Sequence, residues 1–154
     1  VKPDSSHLGP RMNTDELVFR ATGKPTESDL QLVDAGLEQY NVAAAPLSEV
    51  TQLAAFATDP SGRIVAGAVG RTWGKCCELL QLWVAPEFRD HRVGSRVLRE
   101  FEEHARTRGC TVFYLTTLSY QAPGFYRKHG YGVLAEITGY PDGITKYLMH
   151  KTGA

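Results

Sequence analysis

Between Arg89 and Ser95 the chain reads Arg-Asp-His-Arg-Val-Gly-Ser, a basic turn set between an apolar run ending at Val84 and a patterned segment opening at Val93. If the run is a strand and the segment a helix, their junction aims unpaired backbone N–H groups and the positive end of a helix dipole at one point beyond the sheet. That is a seat for a phosphate or pyrophosphate, and Arg89, His91, Arg92, Arg96 and Arg99 gather positive charge around it. Two other residues have types suited to proton transfer. Glu78 is the only acid inside the apolar run, and strict alternation along 76–84 sets Cys76, Glu78, Leu80, Leu82 and Val84 on one face. A carboxylate there could take a proton directly or through water. Tyr126 is a phenol, protonated at neutral pH and able to give that proton away. The histidines do not cluster: His91 lies in the turn, His104 on the polar side of a helix, and His129 near a helix end, beside its last carbonyls. No His/Asp/Glu spacing suggests a metal.

The elements that must position these groups follow from periodicity. Glu16–Thr22 has strand character. Thr26-Glu-Ser-Asp supplies capping residues before Leu30, Leu32, Val33, Leu37 and Tyr40 at helical spacing, and Ala43 to Pro46 breaks that helix. Val50–Thr58 and Arg63–Thr72 read as a hairpin closed by Asp59-Pro-Ser-Gly62, and a turn near Gly74-Lys75 leads into the strand Cys76–Val84. The spacing predicts a helix over 93–108 with Val93, Val97, Leu98, Phe101 and Ala105 on its apolar stripe. Arg96, Arg99, Glu102, Glu103 and Arg106 fall mostly opposite, and Gly109 stops the helix. Thr111–Thr117 is a buried strand, a short helix near Ala122–His129 ends at Gly130, and Tyr131–Ile137 and Thr145–His150 close the chain as strands. The order β-α-β-β-β-α-β-α-β-β implies one α/β (α+β) domain over 14–154, a mixed sheet with helices packed on it.

Composition narrows the class. The 154 residues suffice for one hydrophobic core, with 42% apolar and 22% charged residues and a formal net charge of zero. That balance does not support a general binder of nucleic acid or of anionic membranes. No run approaches the ~20 apolar residues of a membrane span. Residues 1–13 are polar, lack an apolar signal core and read as a disordered leader, with Met12 as a candidate start. The three cysteines, Cys76, Cys77 and Cys110, match neither a zinc site nor a disulfide framework, and free thiols fit a reducing cytoplasm.

Two segments together resemble the GNAT-type N-acetyltransferases. Leu80-Gln-Leu-Trp-Val-Ala-Pro-Glu-Phe followed by Arg89-Asp-His-Arg-Val-Gly94 is similar to the family's strand and its Gln/Arg-x-x-Gly-x-Gly/Ala turn. Gln121-Ala-Pro-Gly-Phe-Tyr-Arg-Lys-His-Gly-Tyr131 is similar to its Phe-Tyr-x-Lys-x-Gly-Phe segment. The resemblance runs from about Leu17 to Lys151. It implies a GNAT fold with a mixed, mostly antiparallel sheet of six to seven strands flanked by helices. It also implies acetyl-CoA as cosubstrate, no metal, and direct transfer to a primary amine of a small molecule or peptide. The implied coenzyme contacts are Leu82, Trp83, Val84, Arg89, Asp90, His91, Arg92, Val93, Gly94, Ser95, Ser119, Ala122, Phe125 and Tyr126. The implied catalytic groups are the Leu82 N–H as oxyanion donor, Tyr126 as general acid and Glu78 as general base. The strand over 80–84 is expected to splay from its neighbour. Trp73, Trp83, Tyr120 and Tyr140 are candidates for the acceptor pocket, while Glu49, Asp59, Glu136 and Asp142 are too scattered to mark a cation site. Arg92 stands where the family has its first glycine. It either adds a phosphate contact or fills the seat, and in the second case the chain would be a non-catalytic acyl-CoA sensor or interaction module. A homodimer through the C-terminal strands would suit the fold.

Overall fold

The computed structural model describes Thr14 and residues 17–153, in two compact units that divide between Ala44 and Ala45. The expected leader at 1–13 lies outside the described residues. In the first unit, α1 (Glu27–Ala44) begins where the capping residues predict. Thr26 Oγ1 accepts the Asp29 N–H at 3.1 Å, and Asp29 Oδ2 accepts the Thr26 N–H at 3.2 Å, so two donors at the helix start are satisfied reciprocally. Residues 17–22 form no strand. They have the right side chains but no ladder, and strand propensity without a paired neighbour does not hold an extended chain.

The second unit is built on six strands: β1 (Thr51–Thr58), β2 (Ile64–Trp73), β3 (Cys76–Val84), β4 (Val112–Leu118), β5 (Gly132–Ile137) and β6 (Lys146–Thr152). Their order is β1-β2-β3-β4-β6-β5, and every neighbouring pair is antiparallel except β3–β4. That parallel pair needs a crossover, which α2 (Val93–Thr107) supplies. The Asp59 turn joins β1 to β2. Its carboxylate accepts from the backbone and hydroxyl of Ser61 and from Arg63, bonds that pull its pKa down to about 2.

Helix α2 lays the predicted stripe on the sheet: Val97, Leu98, Phe101 and Ala105 are buried against Leu53, Ala66, Ala68, Cys77, Leu79, Phe113, Leu115 and Met149. It ends as its sequence dictates. Gly109 takes a positive φ of 86°, its N–H bonds the Arg106 carbonyl, and the Cys110 N–H reaches back to Ala105. The short α3 (Pro123–Lys128) stops by the same device at Gly130, with Tyr131 N–H on the Tyr126 carbonyl.

One side chain departs from the expected polar face. Glu102 is 5% exposed, and its carboxylate holds Lys151 Nζ at 2.7 Å, the Tyr131 hydroxyl at 2.8 Å and Arg106 at 3.5 Å. A buried carboxylate needs such partners, since an unpaired one would carry a desolvation cost of several kcal/mol. The periodicity of α2 marks Glu102 as polar and cannot show that cations on β6 and in the next helical turn enclose it.

Candidate active site

Along β3 the pairing with β2 slips once: Val69 faces Gln81, but Gly70 faces Leu79, leaving Leu80 as the extra residue of a bulge. The bulge corrects the alternation read from the sequence. Residues paired across antiparallel strands share a face, so Cys77, Leu79, Leu82 and Val84 all lie on the α2 side, opposite Thr72, Gly70, Ala68 and Ala66. Glu78 and Cys76 point the other way. Glu78 therefore does not share a face with Leu82.

Just beyond the bulge β3 leaves β4. The parallel ladder runs from Cys76↔Val112 to Leu79↔Leu115 and stops. Past that point β3 stays with β2 as far as Val84↔Ala66, and β4 stays with β6 as far as Leu118↔Lys146. The expected splay over 80–84 is present. Because the Ala85 N–H donates to the Val65 carbonyl, the alternation of an antiparallel ladder turns the N–H and C=O of Val84 and Leu82 away from β2, towards the opening. Arg89 Nε bonds the Val84 carbonyl on that side at 3.1 Å.

The opening is the head of a groove of about 1420 Å³. Leu80 to Val84 form one wall, and Thr116 and Thr117 the other. Arg89, Asp90, Arg92, Val93, Gly94, Ser95 and Arg99 lie at its mouth; Gln121, Ala122, Phe125, Tyr126, Lys128 and His129 complete it. Four fixed cations, Arg89, Arg92, Arg99 and Lys128, face one carboxylate, Asp90. The first helical bond of α2 runs from the Arg96 N–H to the Arg92 carbonyl, so the N–H groups of Val93, Gly94 and Ser95 have no partner within the helix. Gly94 lets that turn sit close: a Cβ here would come 3.3 Å from Val84 Cγ2 and 3.7 Å from the Phe125 ring. Arg92 holds a left-handed backbone, φ 59° and ψ 13°, the conformation for which glycine is suited. The arginine thus preserves the backbone course of a glycine turn and adds a cation to the groove. An extended, phosphate-bearing ligand fits these donors and charges.

Tyr126 lies in the groove with 8% of its surface exposed, and its hydroxyl makes no hydrogen bond among the described residues. Burial pushes its pKa up, so the phenol keeps its proton in the free protein. Two expected contacts fall outside the groove. His91 Nδ1 turns back to the Arg89 carbonyl at 2.6 Å, and the Ser119 hydroxyl accepts the Thr145 N–H at 3.1 Å, tying β4 to the start of β6. His129 differs from its expected place by a helix carbonyl: its Nε2 is 2.9 Å from Ser95 Oγ.

On the opposite face of the sheet a smaller cavity of about 350 Å³ is lined by Leu47, Val50, Arg71, Trp73, Cys76, Glu78 and Tyr114. Glu78 Oε2 accepts from Arg71 Nε at 2.7 Å, and its other register neighbour is Tyr114, whose phenol pKa is raised by burial and by the Glu78 charge. Tyr114 carries no sequence signal beyond strand propensity. Its place beside Glu78 comes from the parallel register, which separates the two by 36 positions in sequence. Trp73 is in this cavity, while Tyr120 and Tyr140 line neither. The lining of this cavity ends at the paired row Glu78–Tyr114, and that of the groove begins two residues further along each strand, at Leu80 and Thr116.

None of the three cysteines lines the groove. Cys76 is exposed at the smaller cavity, whereas burial pushes the Cys77 thiol up to about 12 and also raises that of Cys110. Among the described residues no three His, Cys, Asp or Glu side chains are grouped to hold a metal, and no helix is long and apolar enough to cross a membrane.

Known proteins share both the sequence and this architecture. Residues 25–131 match the model of the acetyltransferase (GNAT) family. A blasticidin-S acetyltransferase of Streptomyces morookaense is 36% identical over 110 residues, which are 69% of this chain and 81% of that protein. The crystal structure of an acetyltransferase from Bacillus cereus superposes with a TM-score of 0.73 at 25% identity, covering 87% of this chain and 98% of the other. For a structure described as a putative acetyltransferase from Agrobacterium tumefaciens the TM-score is 0.75 at 21% identity, with 89% and 100% covered. The six-stranded mixed sheet is thus one shared with known acetyltransferases, and the chain belongs to the GNAT family of acetyl-CoA-dependent N-acetyltransferases.

Proposed function

We propose that this enzyme acetylates the primary amine of a small, antibiotic-like molecule by direct transfer, with the coenzyme in the groove and the amine entering from the Glu78 cavity. The observation that carries the reading is the closeness of the two cavities along β3 and β4: the smaller one ends at the paired row Glu78–Tyr114, and the groove begins two residues further on, at Leu80 and Thr116. Each can hold one reactant. The 36% identical relative, a blasticidin-S acetyltransferase by name, supports an antibiotic-like acceptor. Direct transfer is favoured because no cysteine lines the groove to carry the acetyl group.

Bound there, acetyl-CoA supplies an acetyl thioester. The free N–H groups of Val93, Gly94 and Ser95, with Arg89 and Arg92, hold the pyrophosphate by charge-assisted hydrogen bonds. The backbone of Leu82 and Val84 binds the extended arm along the open edge of β3, and the Leu82 N–H stabilises negative charge on the acetyl oxygen. Tyr126 donates a proton to the departing thiolate sulfur, and Glu78 takes the proton of the amine directly or through a water. In the free protein Glu78 is held by Arg71, so an ammonium or guanidinium on the acceptor competes with Arg71 for that carboxylate. Residues 14–154 act as one acetyltransferase domain, the free thiols suit a reducing cytoplasm, and the edge strand β5 is the expected site of any homodimer contact.

Calorimetric titration with acetyl-CoA, followed by thiol-release assays over a panel of amines that includes blasticidin S, tests the proposal. Micromolar coenzyme binding and turnover with a cationic small molecule are expected. Coenzyme binding without turnover on any amine would favour an acyl-CoA sensor, and failure to bind coenzyme at millimolar concentration would overturn the reading.

A further inference from the structure

The Ser95–His129 contact joins the first turn of α2 to the end of α3, and both residues line the groove. Ser95 already offers its backbone N–H to the mouth of the groove, and the direction of its hydroxyl proton depends on His129. A bare Nε2 accepts the Ser95 O–H and leaves the oxygen's lone pairs facing any ligand. An Nε2 that carries a hydrogen donates to Oγ instead and frees the O–H to point into the groove, an arrangement open to one of the two neutral tautomers and obligatory for the imidazolium. Phosphate oxygens are acceptors, so only the second arrangement suits a phosphate.

The surroundings set the charge of the ring. The Phe125 ring lies 4.6 Å from it, centre to centre. Burial lowers the His129 pKa; Lys151 and Arg99 act in the same direction, and Glu102 opposes them. Lys151 is anchored against it, with Nζ 3.0 Å from the His129 carbonyl and 2.7 Å from Glu102, which also takes the Tyr131 hydroxyl. Lys128 adds a further cation from α3 itself. The free site therefore favours a neutral imidazole, and phosphates arriving at the mouth would reverse that balance.

We infer that His129 is a positioning residue for the coenzyme's phosphates, taking up a proton from solvent as they bind and turning the Ser95 hydroxyl onto them. The inference rests on the coenzyme-binding reading above. Its linkage has a definite sign. A group whose pKa rises on binding strengthens the complex below the bound-state pKa, and the advantage is lost as pH rises through it. A rise of one unit corresponds to about tenfold in affinity between the two limits.

The test is calorimetry with coenzyme A, in buffers of different ionisation enthalpy, from pH 5.5 to pH 8. The wild-type protein should take up a fraction of a proton per site in excess of His129→Gln, and its affinity should gain several-fold on that variant as pH falls. Ser95→Ala should remove most of the gain while the His129 ring, followed by its NMR shift, still titrates. Proton uptake and pH dependence identical in wild type and His129→Gln would overturn the inference with the coenzyme reading intact. Absence of coenzyme binding by the wild-type protein would overturn both. Circular dichroism of the two variants separates a lost fold from a lost contact.

Discussion

From Cys76 to Leu79, β3 has a neighbour on each edge; from Leu80 to Val84 it has one only on the β2 side. In the first half the backbone is spent on ladders, so only side chains are left to act, and the acid among them is Glu78, beside Arg71 and Tyr114. In the second half the side chains Leu82 and Val84 pack towards the core, and the backbone is what faces the opening. The bulge at Leu80 is the boundary. It lets a single strand present an acid on one face and a bare peptide edge to the groove within a few residues. A regular strand would have placed Glu78 and Leu82 on the same face.

Changing residues on either side of that boundary should have separable effects. The largest is expected at Tyr126→Phe, where turnover should fall by about 10²- to 10⁴-fold, the usual worth of a positioned general acid, with coenzyme affinity nearly kept. Steady-state kinetics set beside calorimetry reads this, and unchanged turnover removes Tyr126 from the acid role. Next is Gly70→Ala, which attacks the boundary itself. A Cβ at Gly70 would run into the Glu78 carbonyl and lie 2.8 Å from the Phe101 ring, so the bulge must shift. About 3 kcal/mol of stability should be lost, judged from overpacked cores, and denaturant midpoints measure it. Glu78→Gln should slow turnover by about 10²-fold, the low end of what a positioned general base is worth, while coenzyme binding stays as in wild type. Unchanged turnover would leave Glu78 only its ion pair. The smallest change is Arg92→Gly, whose two effects have opposite signs. Relief of the left-handed backbone should raise stability by about 1 kcal/mol, and loss of the cation should weaken coenzyme A several-fold. Tighter binding by the variant would mean that the arginine fills the seat.

Local rules carried most of the reading from sequence. The α2 stripe, the Gly109 and Gly130 helix stops, the Thr26 cap and the basic turn all depend on residues close together in the chain, and each appears where its spacing implies. The departures arise from partners distant in sequence. Alternation along β3 fails because Gly70, on another strand, is paired out of step. Glu102 reads as a surface acid because Lys151 and Tyr131, which enclose it, belong to segments 49 and 29 residues away. Residues 17–22 read as a strand because propensity is local, while a ladder requires a second chain segment. The Ser95–His129 contact spans 34 residues, and neither position carries a signal that names the other.

The unequal exposure of the three thiols has a practical side. A maleimide or disulfide reagent near neutral pH should add to Cys76 alone, because Cys77 and Cys110 stay protonated and buried. Thiol-release assays will therefore carry a background of one equivalent per chain unless Cys76 is blocked or replaced. The same sulfur, sitting at the Glu78 cavity, becomes a built-in occupancy gauge: a molecule that slows its labelling has entered that cavity, whether or not it is ever acetylated.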